Sequence, residues 1–464
     1  MASFAISDLL QPDKGQPATS LHLVDKKGFD AWLKKQPERV RQAVAAQGFK
    51  GEGYQLAILP GEKAEWSALL GVADVGALSP WCLAKAAESL PEGKYRVEGS
   101  GPGPAALGWL LGQYRFDRYK KDAEAKGPLI LFTSEPARIG ETILLAEATN
   151  LVRDLVNTPA GDMGPADLEA AARDLAKECG AKISVTSGKA LDEGFPMVAA
   201  VGRAAEASRA PRLIELEWGD SRHPRLALVG KGVCFDSGGL DIKSASGMRL
   251  MKKDMGGAAH VLALAGLVMK SRLPVRLHML VPAVENAIAG DAFRPGDILR
   301  SRKGLSVEIG NTDAEGRLIL GDALTKAGEG EPELILDFAT LTGAARVALG
   351  PDLPALFTDD DALAEAMLGA GTAVSDPVWR MPLWPHYEEM LASEIADIGN
   401  ASEAPLAGAV TAALFLRKFA PEGVPWAHLD TFAWRPAAKP GRPKGGDALG
   451  LRAAWQMLLA RYRS

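Results

Sequence analysis

The chain of 464 residues has few of the features that mark a secreted or membrane-spanning protein. Its three cysteines, Cys82, Cys179 and Cys234, have no CxxC spacing, so the sequence favours a reducing compartment over a disulfide framework. The longest apolar run, residues 258–269, is much shorter than the roughly 20 residues that a membrane helix needs. The first fifteen residues lack a charged region followed by an apolar one. We therefore expect no secretory signal, no membrane partner and a cytoplasmic location.

The sequence also lacks an excess of positive charge. The net charge is -5, the isoelectric point is near 5.8, and no long run of lysine and arginine occurs. These values argue against nucleic acid as a main partner. The six histidines show no zinc-ligand spacing, and His260, inside the apolar run, is expected to be a hydrogen-bonded core residue. Cys234 has no accompanying histidine or base motif, so we interpret it as a packed thiol.

What the sequence does contain is a change in pattern along the chain. Residues 1–138 mix short apolar runs with glycine- and proline-rich breaks and predict a separate N-terminal domain. A helical pattern that ends at Pro159 predicts a connecting helix over 139–159. From 160 to 464, apolar strand patterns alternate with helical ones, which predicts a large α/β domain with a mostly parallel central sheet flanked by helices. The predicted strands are 182–187, 212–218, 225–230, 275–282, 305–310, 333–339 and 426–433.

Polar or glycine-rich segments follow four of these strands directly. They are KGVCFDSGGLDIK (231–243), AVENAIAGD (283–291), NTDAEGR (311–317) and TLTGA (340–344). In open α/β sheets, ligands bind at the carboxyl ends of the strands. We therefore expect the four segments to converge on one site.

Four acidic side chains fall in or beside these segments: Asp236, Asp254, Asp313 and Glu315. Carboxylates packed together take up protons unless cations neutralise them, and clusters of oxygen ligands suit divalent ions. Two such ions can bind an attacking hydroxide and the substrate oxygen that gains charge. The residues alone thus predict a dimetal hydrolase. For Asp254, which precedes an apolar helix, the alternative role is a helix cap.

The motifs also resemble a known family. NTDAEGRL, in order with GKGVCFDSGGLDIK, MKKDMGGAA, VENAIAGDAFRPGD, FATLTGAARVALG and AGAVTAALFLRKF, is similar to the signature of the leucyl (cytosol) aminopeptidase family. The resemblance covers roughly residues 140–464 and is densest over 228–350. It implies a metal-dependent aminopeptidase that removes the N-terminal residue from short peptides with a two-metal-activated water.

The resemblance also implies roles for individual residues. One metal ion would be held by Lys231, Asp236, Asp254 and Glu315, and the other by Asp236, Asp313 and Glu315. Lys231 would bind as a neutral amine; an ion pair with Asp236 is the alternative. Lys243 would polarise the scissile carbonyl, and Arg317 would hold a bicarbonate ion that acts as general base. The pocket for the first side chain would include Met251, Thr340, Leu341 and Gly343. The ions would be Mn²⁺ or Zn²⁺, with Mg²⁺ or Co²⁺ as further options.

Two departures from the family pattern stand out. Asp241 lies two residues before Lys243 and would alter its pKa if it faced inward. The segment WAHLDTFAW (426–434) replaces the more usual HLDIAG, so the wall of the first pocket is expected to differ. The resemblance further implies that residues 160–464 form the catalytic domain and residues 1–138 a smaller α/β domain. It also implies a hexamer of two stacked trimers, with the N-terminal domain restricting access. Another two-metal hydrolase, such as a phosphatase, and a DNA-binding regulator with the aminopeptidase fold remain the alternative functions.

Overall fold

The computed structural model describes residues 5–62, 65–121 and 127–463, and its contacts divide the chain into two compact units. The first unit extends to Asn150 and includes residues 437–444; the second consists of residues 151–436 and those from 445 onward. The helix predicted over 139–159 is present and ends at Asn157. Among the described helices, none has both the length and the apolarity that crossing a bilayer requires.

The first unit contains a sheet whose described strands have the order β1-β6-β5-β2-β4-β3. All neighbouring pairs are parallel except β3 with β4. The strands are β1 (Leu10–Pro12), β2 (Thr19–Val24), β3 (Leu56–Pro60), β4 (Trp66–Gly71), β5 (Gly93–Val97) and β6 (Leu129–Thr133). The helices are α1 (Phe29–Lys34), α2 (Glu38–Ala46), α3 (Ala84–Ser89), α4 (Ala105–Leu111) and α5 (Ile139–Asn157), the last of which continues into the second unit.

The second unit is built on a larger sheet, which follows the order β16-β15-β18-β14-β9-β11-β8-β7, with β10 paired to β11. Its strands are β7 (Lys182–Ser187), β8 (Arg212–Trp218), β9 (Arg225–Gly230), β10 (Gly232–Asp236), β11 (Arg276–Asn286), β14 (Leu334–Ala339), β15 (Ala355–Phe357), β16 (Trp379–Arg380) and β18 (Trp426–Asp430). Two smaller sheets contain β12 (Ile298–Arg300), β13 (Ser306–Glu308) and β17 (Ile398–Gly399), and β19 (Trp434–Arg435) and β20 (Gly445–Gly446).

The centre of the large sheet is parallel, as the apolar strand patterns predicted. β14 pairs in parallel with β9 and β18, and β11 pairs in parallel with β9 and β10. All six residues of β14, LILDFA, are buried, because helices cover both faces of a parallel sheet. Antiparallel strands lie towards the edges, where β8 pairs with β11 and β7, and β15 pairs with β18. The predicted α/β class is confirmed.

The helices of the second unit follow the strands as the alternating pattern predicted. Its helices are α6 (Pro165–Cys179), α7 (Lys189–Gly194), α8 (Pro196–Gly202), α9 (Ala245–Met248), α10 (Gly256–Lys270), α11 (Glu315–Gly328), α12 (Gly343–Leu349), α13 (Asp361–Ala373), α14 (Gly408–Arg417) and α15 (Leu451–Tyr462). α10 is buried along its whole length except at Lys270, which explains its apolar residues on every face. A Cβ at Gly257 would lie 2.1 Å from the Phe338 carbonyl oxygen, so only glycine lets α10 approach β14 this closely.

One predicted strand has a different place in the fold. The segment 305–310 was expected to belong to the central sheet, but only Ser306–Glu308 is a strand, and it pairs with β12 and β17 in a separate sheet. Val307 and Ile309 are buried there, and β13 pairs antiparallel with β12. NTDAEGR therefore reaches the site from this small sheet and not from the edge of the large one.

Candidate active site

The predicted site residues, except Glu315, line one cavity of about 530 Å³ in the second unit. Lys231 follows β9 directly, Asp236 is the last residue of β10, and Thr340 and Leu341 follow β14. Because β9, β10 and β14 lie in the parallel part of the sheet, these residues emerge at its carboxyl edge, where ligands bind in such folds.

Asp254 reaches the cavity from a different kind of element. It lies in a 3₁₀ turn, Met251–Met255, immediately before α10. The residue at the N-cap of α10 is Met255, and no side chain caps the helix there. Asp254 instead points its carboxylate at Lys231, Lys253 and Thr340. The helix-cap alternative is therefore wrong.

The NTDAEGR segment supplies the opposite side of the cluster. Asp313 lies in the loop after β13, and Glu315 is the first residue of α11, which also carries Arg317. A Cβ at Gly316 would lie 2.6 Å from Lys231 Nζ. The glycine between Glu315 and Arg317 thus leaves the space through which the Lys231 side chain reaches the carboxylates.

Three carboxylates form the centre of the site. Asp236, Asp313 and Glu315 each offer one oxygen, and these oxygens all lie within 4.8 Å of one another. Glu315 is 1% exposed; its Oε1 lies 2.9 Å from the ammonium of Lys231, whereas its Oε2 has no hydrogen-bond donor among the described residues. A buried carboxylate oxygen without a donor is costly unless a cation is bound, so this cluster fits a metal site.

Two lysines neutralise part of the negative charge. Lys231 Nζ lies 2.6 Å from Asp254 Oδ2 and 2.9 Å from Glu315 Oε1. It contacts these two residues and not Asp236, with which the sequence analysis had given an ion pair as the alternative. Lys243 Nζ lies 2.8 Å from Asp236 Oδ2 and also contacts Asp313 Oδ1. Each lysine therefore bridges two acids.

The lysine pKa values reflect these contacts. Burial lowers the pKa of both lysines, but the surrounding carboxylates raise it more. The net pKa of Lys231, set mainly by Asp254 and Glu315, and that of Lys243, set mainly by Asp236, lie above the ordinary lysine value. Without metal ions, both side chains are ammonium groups.

The acids of the cluster differ in the direction in which their pKa values are shifted. Burial, reinforced by the charge of Asp236, raises the pKa of Glu315 to about 8 and that of Asp313 to about 6. Burial also acts on Asp254, but Lys231 and Lys253 hold its pKa below the ordinary range. Two lysines thus neutralise the charge of Asp254. The raised pKa values of Glu315 and Asp313 indicate that the lysines beside them do not fully offset the negative charge of the cluster.

The structure adds residues that sequence reasoning missed. Asn286, at the end of β11, donates from Nδ2 to Asp236 Oδ1 at 2.9 Å and to the Thr312 carbonyl at 3.1 Å. Lys253 Nζ lies 3.0 Å from Asp254 Oδ1. Asn286 is part of the VENAIAGD motif and Lys253 is adjacent to Asp254, so their positions in the sequence were the available signal.

Arg317 has a side-chain N–H group that makes no hydrogen bond with any described residue. Its Nη1 donates to the Asn400 carbonyl at 2.6 Å, while its buried Nε has no acceptor among the described residues. Burial lowers the pKa of Arg317 to about 10, so the side chain remains charged at neutral pH. The planar guanidinium can therefore donate to an anion in the cavity, which it also lines.

The other expectations can be placed as well. The predicted pocket residues that line the cavity are Met251, Thr340, Leu341 and Gly343. Asp241 accepts a hydrogen bond from the Thr312 backbone N–H at 2.7 Å and does not contact Lys243.

His260 is a hydrogen-bonded core residue, since its Nδ1 lies 2.7 Å from the Gly256 carbonyl and its Nε2 accepts from the Leu449 N–H. Cys234 is buried, as interpreted, and burial raises the pKa of its thiol.

Such a buried cluster of acids and lysines, at the carboxyl edge of a parallel sheet, is typical of a metal-dependent hydrolase. Comparison with known proteins places the chain within that class. Residues 150–454 match the catalytic domain of the cytosol aminopeptidase family, and residues 19–132 match the M17 aminopeptidase N-terminal domain. The chain belongs to the cytosol aminopeptidase family and is a peptidase.

Individual relatives agree with this assignment. A probable cytosol aminopeptidase of Syntrophotalea carbinolica is 42% identical over 368 residues, which cover 76% of this chain and 73% of the relative. The crystal structure of the Coxiella burnetii cytosol aminopeptidase has a TM-score of 0.92 and 44% identity, covering 98% of this chain and 100% of that one. The bottromycin maturation enzyme BotP, solved in complex with Mn, has a TM-score of 0.87 and 33% identity, covering 96% and 99%.

Proposed function

We propose that the protein is a metal-dependent aminopeptidase that removes the N-terminal residue from short peptides with two divalent ions. The observation that carries the proposal is Glu315, a buried carboxylate that lies beside Asp236 and Asp313 and whose Oε2 has no hydrogen-bond donor among the described residues. The family assignment favours peptide hydrolysis over the phosphatase alternative.

The residues present fit two cations. Lys231, Asp236, Asp254 and Glu315 would hold one ion, and Asp236, Asp313 and Glu315 the other, so that Asp236 and Glu315 bridge. Bound ions would supply the activated water and the Lewis acid for amide hydrolysis. We favour Mn²⁺ or Zn²⁺, with Mg²⁺ and Co²⁺ as alternatives; the Mn complex of BotP supports the first. Lys231 can act as a ligand only after it loses its proton.

Lys243 is the residue we assign to the substrate carbonyl. Its ammonium contacts Asp236 and Asp313 and lines the cavity. With the charge of these two acids balanced by bound cations, the Lys243 ammonium would be free to donate a hydrogen bond to the oxygen of the scissile carbonyl. In a site that excludes water, such a donor stabilises the charge that develops on this oxygen.

Arg317 and Asp254 would orient the other reactants. The buried Nε of Arg317 supports a role in holding bicarbonate as the general base, since the guanidinium fork matches a carbonate-like anion. Asp254, held by Thr340 and Lys253, would accept a hydrogen bond from the free amino group of the substrate. Anchoring of this amine explains why only N-terminal residues would be released.

The proposal is tested with unblocked dipeptides and their N-acetylated counterparts, assayed before and after chelation and after readdition of Mn²⁺. We expect hydrolysis of the free peptides only, loss of activity with chelator, and recovery with the ion. Equal hydrolysis of the acetylated peptides would refute anchoring through the amine.

A pair of matched variants tests the site itself. Asp313→Asn should lose most of the activity while the circular dichroism spectrum remains unchanged. Asp174→Asn, which removes the same charge from an exposed position on α6, should behave like the unmodified protein. Full activity of Asp313→Asn would exclude Asp313 from the site.

Assembly and location belong to the same proposal. We expect a homohexamer that restricts the substrates to short peptides, and its mass can be measured by light scattering after gel filtration. A cytoplasmic location is supported by the names of the relatives and by the unpaired Cys82, Cys179 and Cys234.

A further inference from the structure

Arg346 is a cationic side chain that lines the active-site cavity and has no role in the proposed function. Arg346 lies on α12, three residues after Gly343, and the structure gives it no hydrogen bond or ion pair with any described residue. Its contact is with an aromatic ring, since its Cζ lies 4.7 Å from the centroid of Phe432. A half-buried guanidinium without a carboxylate partner has its donors available for a ligand.

The guanidinium lies beside the pocket expected for the first side chain of the substrate. Arg346 Nη2 is 3.5 Å from the position that a Cβ would occupy on Gly343. Thr340, Leu341 and Gly343 line the same cavity. Phe432 belongs to the WAHLDTFAW segment, whose departure from the family pattern predicted a changed wall. The ring holds the guanidinium over one face and leaves its edge nitrogens free.

This part of the wall carries an excess of positive charge. Lys253 also lines the cavity, and Asp254 is the acid it contacts. Arg346 lines the same cavity, so this part of the wall holds two cations, Lys253 and Arg346, for the one acid that Lys253 contacts.

We propose that Arg346 binds the side-chain carboxylate of an acidic first residue, so that peptides beginning with glutamate are substrates alongside those with an apolar first residue. This inference rests on the proposed aminopeptidase function and specifies its substrate class. A carboxylate at this position would supply the partner that Arg346 lacks. It would also balance the positive charge that Arg346 and Lys253 place in this part of the cavity.

The test compares kcat/KM for Glu-Ala-NH₂ and its neutral isostere Gln-Ala-NH₂, whose amidated ends remove the C-terminal carboxylate. With the unmodified enzyme we expect the glutamate peptide to be preferred. Arg346→Met should lower the Glu/Gln ratio about tenfold, since a charge-assisted hydrogen bond is lost. Arg346→Lys should retain part of the preference, and Arg346→Glu should invert it in favour of Lys-Ala-NH₂.

Controls separate this inference from the proposed function. Arg203→Met removes a cation from an exposed position outside the cavity and should leave the ratio unchanged. Failure of the unmodified enzyme to hydrolyse Leu-Ala-NH₂ would overturn the aminopeptidase proposal. Hydrolysis of that peptide with a Glu/Gln ratio unaffected by the Arg346 variants would overturn only the role of Arg346. If the Arg346 variants instead change the ratio of kcat/KM between Leu-Glu-NH₂ and Leu-Gln-NH₂, the assignment of Arg346 to the first residue would be overturned.

Discussion

Replacing Glu315 with glutamine removes one negative charge from the centre of the cluster and keeps the side-chain volume. Glu315 is 1% exposed, and one of its carboxylate oxygens lies within 4.8 Å of oxygens of Asp236 and Asp313. Lys231 keeps its 2.6 Å contact with Asp254 in the variant, so the fold retains a partner for the lysine. The change therefore acts mainly on the binding of cations.

The expected magnitude follows from linkage between binding and folding. An ion present at a hundred times its dissociation constant stabilises the folded state by about 2.7 kcal/mol. Loss of a ligand should weaken binding about a hundredfold or more, which leaves about 0.4 kcal/mol at the same concentration. For a domain of this size, the difference corresponds to a thermal midpoint lower by on the order of 5 °C.

The assay is thermal unfolding of chelator-treated protein during titration with Mn²⁺, together with measurement of the bound metal by mass spectrometry. Glu331→Gln is the matched control, because Glu331 is exposed and lies outside the cavity. We expect the control to gain thermal stability with Mn²⁺ and Glu315→Gln to gain almost none. An equal gain in both variants would mean that these acids are not the metal site.

Three further predictions concern chemistry, pH and packing. Lys243→Met should lower kcat about a hundredfold, as loss of an oxyanion donor does; steady-state kinetics showing an unchanged kcat would contradict its role. Burial raises the pKa of Asp322 from 3.8 to about 7, so its contribution to stability is fully present below pH 3.8 and is lost as the pH rises towards 7. Asp322→Asn should therefore reduce the fall in unfolding free energy between pH 4 and 7 by up to about 4 kcal/mol, measured with urea at each pH; an unchanged slope would refute the shift. Gly257→Ala should cost about 1–3 kcal/mol or more in urea unfolding, because its Cβ would meet the Phe338 carbonyl; unchanged stability would show that α10 can move.

Local pattern accounts for most of the secondary structure. The segments 182–187, 212–218 and 225–230 coincide with β7, β8 and β9, because apolar strands next to turn residues have few alternatives. The apolar run 258–269 lies within the buried helix α10, Gly256–Lys270. The segment 305–310 shows the limit of this reasoning, since periodicity identifies a strand but not the sheet it joins.

The order of the motifs determined which residues meet at the site, because each acid or lysine lies next to a strand end or a helix start that fixes its direction. What each residue contacts was decided only by the tertiary structure. Lys231 binds Asp254 and Glu315, and Arg346 lies over Phe432, through contacts between residues far apart in the chain. The energies of such contacts depend on distances of a few ångströms and on burial, and both quantities exist only once the sheet has brought its loops together.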